Sequence, residues 1–202
     1  MRQLLTLVTI VAAQAAAAPQ AGVVLDNARV RIFRIGASPA GVEHRPAVVI
    51  RLDSGDAVWT EDAARSTENV GRPTKPSDVT RGVGASTVIV EPKNAPPTAG
   101  EQSGTAPGSA SFTGMSFKPI FENDKVRVIR ARMEVGAREG FHTHGSDTVV
   151  VHLSGGEIED TANGRTAVNK WKPGDVEFEA RGSSHSARNV GQAIDVVLVA
   201  LK

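Results

Sequence analysis

Gly136-Ala137-Arg138-Glu139-Gly140-Phe141-His142-Thr143-His144-Gly145-Ser146-Asp147-Thr148 leads into Val149-Val150-Val151-His152-Leu153, an apolar, β-branched run closed by Gly155-Gly156. His142 and His144 are two residues apart, so on a strand they face the same side. Two imidazoles on one face make part of a metal site, and a distant residue has to complete it. His185 is placed to do so. It follows Lys172-Pro173-Gly174-Asp175-Val176 and a further short strand, from which the chain can return to the same interior.

The surrounding sequence reads as strands. Val126-Arg127-Val128-Ile129-Arg130-Ala131-Arg132 alternates apolar with charged residues, as a half-exposed strand does. Val176-Glu177-Phe178-Glu179 alternates too, and Ile194 to Leu201 is apolar and β-branched. Turns fall at Gly155-Gly156, Asn163-Gly164 and Pro173-Gly174, with Asn163-Gly164 the strongest hairpin signal. No segment beyond the N-terminus carries a helical stripe. The expectation is all-β, a sandwich or barrel.

An earlier part of the chain repeats this pattern in the same order. Asn27-Ala28-Arg29-Val30-Arg31-Ile32 parallels Asn123-Asp124-Lys125-Val126-Arg127-Val128, and Val48-Val49-Ile50-Arg51-Leu52 parallels Val149 to Leu153. Lys75-Pro76-Ser77-Asp78-Val79 parallels Lys172 to Val176, and Val88-Ile89-Val90 parallels Leu198-Val199. Ordered matches argue for duplication. The first copy is shorter after Val79 and has no counterpart to the segment carrying His185, so His44, its one histidine, reads as a surface or turn residue.

Residues 1–18 read as an export signal: Arg2, an apolar run from Leu4 to Ala13, and an Ala13-Gln14-Ala15 cleavage pattern. The run is shorter than the roughly 20 apolar residues a membrane span requires. Asn94 to Ser116 is rich in Pro, Gly, Ser, Thr and Ala with a single charge, Glu101, and reads as a flexible linker. The expected layout is a signal over 1–18, a degenerate β domain over 22–93, a linker over 94–117 and a complete barrel over 118–202. The expected location is periplasmic or secreted.

The chain has 23 basic and 22 acidic residues, and Arg2 is the only charge before Asp26. The exported chain is therefore neutral overall, which gives no electrostatic basis for binding nucleic acid or an anionic membrane. Cysteine and tyrosine are both absent. That excludes disulfides, thiolate ligands, iron–sulfur clusters and phenolic acid–base chemistry, and leaves histidine and carboxylates for metal or proton chemistry.

The spacing Gly136-x5-His142-Thr143-His144-x3-Thr148-x6-Gly155, followed by Gly174-x5-Ala180-Arg181-Gly182-x2-His185-x3-Asn189, resembles the two sequence motifs of the cupin superfamily. The resemblance implies a double-stranded β-helix, or jelly-roll, barrel, with the first half an incomplete second copy in the manner of a bicupin. It implies that His142, His144 and His185 bind one divalent transition metal ion (Fe(II), Zn, Mn, Ni or Cu). Two positions depart from the motif. Ala180 stands where proline is usual, which affects only the stiffness of a turn. Thr148 stands where the family has a glutamate ligand, which removes a metal donor.

Asp147, one residue early, would replace it if a bulge turned it inward. His152 shares the parity of His142 and Thr148 but lies about 13 Å further along a strand, so it reads as a barrel-lining histidine. Glu177 and Glu179 share one face, read here as a solvated surface, with a partner for an imidazole as the lesser alternative. Phe141, of opposite parity to the histidines, reads as packing against the other sheet, and Trp171 as a core or mouth residue.

Three neutral histidines leave coordination positions open to water, dioxygen or a bidentate substrate. The leading functional expectation is a metal-binding cupin working as a non-haem oxygenase or related enzyme on a small molecule. The alternative is a non-catalytic exported module that binds metal or a small ligand. The degenerate first half could also support a homodimer.

Overall fold

A computed structural model describes residues 22–35, 45–63, 87–99 and 111–202. Among the described residues, thirteen strands form two antiparallel sheets. The first contains β1 (Gly22–Asp26), β2 (Val30–Ile35), β3 (Ala47–Arg51), β4 (Ala57–Thr60) and β5 (Thr87–Pro92), in the order β1-β2-β5-β3-β4. The second contains β6 (Phe112–Glu122), β7 (Val126–Thr143), β8 (Thr148–His152), β9 (Gly156–Ala162), β10 (Arg165–Trp171), β11 (Val176–Glu179), β12 (Ser184–Asn189) and β13 (Ile194–Leu201). Its order is β10-β9-β12-β7-β13-β8-β11, with β6 on the free side of β7. The architecture is a jelly-roll β-barrel.

Strand β7 makes the barrel turn its corner. Residues 126–133 pair with β13, and residues 138–143 pair with β12. Gly136 lies between the two stretches with φ +76°, a backbone conformation that a side chain disfavours. The opening glycine of the first motif is therefore a bend in one strand. The Asn163-Gly164 pair, at φ 52° and 71°, closes the β9–β10 hairpin as expected.

Period-two alternation sends the strands' two faces to different places. Val126, Val128, Val149, Val151, Val197, Val199 and Leu201 pack with Val30, Ile32, Val48, Ile50, Val88 and Val90 into one core between the halves. The alternate residues, among them Ile129, Ala131, Val150, Leu198 and Ala200, line the barrel interior. Strands buried on both faces explain why Val149 to Val151 and Val196 to Leu201 are continuously apolar.

The duplication extends to individual hydrogen bonds. Asn27 Oδ1 accepts the N–H groups of Arg29 and Val30, and Asn123 Oδ1 accepts those of Lys125 and Val126. The Lys93 ammonium bonds Asp26 and the Asn27 carbonyl; the Lys202 ammonium bonds Glu122 and the Asn123 carbonyl. The strand order β1-β2-β5-β3-β4 matches β6-β7-β13-β8-β11. Among the described residues, the first half has no partner for β9, β10 or β12, the strands that close the barrel. Lys75 to Val79 and His44 lie outside the described residues.

Two expectations about domain layout are corrected. Phe112 to Phe117, assigned to the linker, lie in β6, because their backbone pairs with β7 along its length. At the other end of that segment, the Ala95 carbonyl and the Thr98 N–H bond Arg29 and Asp147. The halves also share their largest core, since their valine faces cover each other, while smaller clusters around Ile89 and around Met133 lie within one half each.

Candidate metal centre

His142 is the penultimate residue of β7, and His185 on β12 is its direct cross-strand partner. His144 lies one residue past β7, where its backbone is pinned to the β11–β12 turn by the bonds His144 N–H to Ser183 O and Gly182 N–H to His144 O. Gly182, at φ +83°, permits that turn. The three rings converge with centroids 4.6–5.0 Å apart. One nitrogen from each lies within 4.8 Å of the other two, so the triad could hold a metal ion.

The hydrogen bonds fix which nitrogens are free. His142 Nδ1 lies 3.0 Å from the Gly140 carbonyl and must donate to it, which leaves Nε2 unprotonated in the neutral ring. His185 Nδ1 lies 2.9 Å from Asp160 Oδ1, a carboxylate that orients the ring. His185 Nε2 then faces His144 Nε2 at 3.1 Å. Two donors about 2.0–2.1 Å from a common cation stand roughly 3.0–3.4 Å apart. The His144–His185 pair already stands at that spacing, and with His142 within 4.8 Å the donor set could hold a divalent transition ion. Burial, with His142 and His185 as positive neighbours, lowers the His144 pKa to about 4, which keeps its ring neutral and able to ligate at neutral pH.

The triad opens on a barrel cavity of about 280 Å³. Glu139, Asp160, Glu177 and Glu179 all line it. Burial raises the Glu139 pKa, pushes Glu177 up to about 7, and holds Glu179 well above the usual carboxylate range; neighbouring carboxylates add to the last two shifts. The reading of Glu177 and Glu179 as solvated is corrected. Their common face was legible, but the apolar face of β11, Val176 and Phe178, packs towards the first half and turns the glutamates inward.

Asp147, the expected replacement ligand, is not brought to the triad. It is buried with Oδ2 2.8 Å from Arg29 Nε and 2.9 Å from the Thr98 N–H, while Oδ1 accepts the Arg181 N–H at 3.0 Å. Its parity held; no bulge turns it inward. His152 lines the cavity as expected, buried and stacked on Trp171 at 4.4 Å and 14°. Phe141 is exposed instead of packed between sheets. Asn189, the last motif residue, donates to the carbonyls of Met133, Glu134 and Gln192 and accepts the Gly191 N–H, so it fastens the β7 bend to β12.

Jelly-roll closure around three inward histidines defines the second half as a β-barrel of the double-stranded β-helix class whose histidine triad could hold a metal ion. Both of the sequence motifs that resemble those of the cupin superfamily fall on that geometry. No family model and no curated protein matches it. Similar solved structures include a cupin domain from Bordetella pertussis, at 22% identity over 44% of this chain and 94% of that one, TM-score 0.42. A polyketide cyclase from Streptomyces resistomycificus is similar at 16% identity over 54% and 78% of the two chains, TM-score 0.41. A DMSP lyase from Ruegeria pomeroyi is similar at 20% identity over 44% and 47%, TM-score 0.39. At these identities and TM-scores the likenesses carry no function to this chain.

Proposed function

We propose that this protein is an exported metal-dependent enzyme that binds one divalent transition ion through His142, His144 and His185 and acts on a small molecule held in the barrel. The observation that carries the reading is the convergence of three imidazole nitrogens whose far sides are occupied by Gly140 and Asp160 or turned to Glu179. Imidazole donors suit iron, zinc, copper and nickel, and a bound ion would supply Lewis acidity or redox chemistry. Glu139 and Glu177 add carboxyl groups able to hold or move a proton in the same cavity. That supply of acid–base groups favours an enzyme over a passive carrier. Oxygenase chemistry with Fe(II) is the specific form we favour.

The cavity's apolar walls, with Trp171 and His152 at their edge, suit a compact organic substrate. The valine face of β7, β8 and β13 is covered within the chain, so a homodimer would use a different surface. Export rests on the N-terminal pattern alone and is checked by N-terminal mass spectrometry of periplasmic or secreted material.

The test of function is elemental analysis of the purified chain and of its His185→Ala variant, followed by Fe(II) reconstitution and dioxygen uptake with candidate small molecules. About one ion per chain, lost in the variant, with metal-dependent turnover, is the expected result. Stoichiometric metal without turnover of any candidate would favour the non-catalytic binding module. Equal metal content in both proteins would refute the site.

A further inference from the structure

We infer that Glu179, one strand over from the family position, supplies the fourth ligand that Thr148 cannot. The inference rests on the three-histidine reading above. Thr148 opens β8, and its hydroxyl is turned back to the Ser146 carbonyl at 3.4 Å. Its direct partner across the β8–β11 pairing is Glu179. Residues directly opposed in antiparallel strands share a face, with Cβ atoms about 5 Å apart. A glutamate on the neighbouring strand therefore enters the barrel beside the place a glutamate at 148 would take.

Its carboxylate already faces the triad. Glu179 Oε1 lies 3.8 Å from His185 Nε2, and Oε2 lies 3.5 Å from His144 Nδ1. Closing Oε1 to about 3.0–3.4 Å from His185 Nε2, the spacing of neighbouring ligands, needs a shift on the order of half an ångström. The second oxygen would stay beside the His144 N–H and steady that ring. One carboxylate then serves one histidine as a fellow ligand and another as an orienting acceptor.

Two other carboxylates approach the triad less completely. Asp160 is engaged on the far nitrogen of His185. Glu139 Oε2 lies 3.9 Å from His185 Nε2 and is in ion-pair range of that histidine alone. Adding Glu179 to three imidazoles gives a harder donor set, which suits Fe(II) or Mn(II) better than imidazole alone does.

The test uses the full chain and Co(II) as probe, since its visible spectrum reports ligand number and geometry without any substrate. Glu179→Gln is expected to weaken Co(II) binding on the order of tenfold or more and to alter the spectrum. Glu139→Gln is expected to shift affinity less than about threefold. Thr148→Glu in the Glu179→Gln background is expected to restore both affinity and spectrum, which also guards against a folding defect in the single variant. Unchanged affinity and spectrum in Glu179→Gln would overturn the inference, as would the larger loss appearing in Glu139→Gln. Wild-type protein that binds Co(II) no better than His185→Ala would overturn the underlying site as well. That failure is separate because it appears before Glu179 is altered.

Discussion

Asp147 and Arg29, 118 positions apart, meet in a buried ion pair with Oδ2 and Nε 2.8 Å apart. Arg29 also donates to the carbonyls of Ala95 and Lys202, so one guanidinium joins the first half, the connecting segment and the last residue of the sequence. Burial alone would raise the Asp147 pKa, but hydrogen bonds from Thr98, Arg181 and Arg29 hold it below the ordinary carboxylate value. Removing one partner of such a pair leaves a buried charge uncompensated, at about 3–5 kcal/mol. Asp147→Ala should therefore lower unfolding stability by that order while leaving Co(II) affinity unchanged. Urea melts and metal titrations on one preparation check it; lost affinity in a fully folded variant would make Asp147 part of the site.

The shared valine core predicts the behaviour of the isolated second half. A fragment of residues 111–202 would expose Val126, Val128, Val149, Val151, Val197 and Val199. So large an apolar face does not stay in water. The fragment should appear as a self-paired dimer or as aggregate in light scattering. A folded monomer would show that the barrel does not need the first half.

His152 should limit acid stability. Burial lowers its pKa from 6.5 to about 4 despite the nearby Asp175 carboxylate, and neither ring nitrogen has a hydrogen-bond partner. The unfolded chain takes up the proton between those values and the folded chain does not, so stability falls as pH drops through this window. His152→Phe keeps a ring to stack on Trp171 and removes the titration. It should raise stability relative to wild type by about 2 kcal/mol at pH 5, with a much smaller difference at pH 7.5. Equal differences at both pH values would count against this assignment.

Asn189 should be structural. Its side chain is buried and makes four hydrogen bonds that tie β7 to the β12–β13 turn. Asn189→Ala removes two amide hydrogens shared among those three carbonyls and the acceptor of the Gly191 N–H, at about 1–3 kcal/mol for each buried group left unsatisfied. A drop in melting temperature of several degrees or more is expected, with the Co(II) spectrum of the folded fraction unchanged. A spectral change without loss of stability would move Asn189 into the metal site.

Spacing alone was enough to read an all-β sandwich or barrel, the Asn163-Gly164 hairpin and the three convergent histidines, because strand periodicity and turn chemistry are local properties of the chain; the bend at Gly136 was not read from it. Duplication was legible too, and it proved to reach the Asn27 and Asn123 turns bond for bond. What stayed hidden was which face of each strand is inside. Val176-Glu177-Phe178-Glu179 alternates equally well whether its valine or its glutamate faces the barrel interior. The choice depends on a second apolar surface, the valine face of the first half, against which Val176 and Phe178 pack. The same surface took Asp147 away from the metal centre, because Arg29 offers it a partner from across the chain. Sequence determined the strands and the three imidazoles; only the packing of one half on the other decided that Glu179, and not Asp147, faces them.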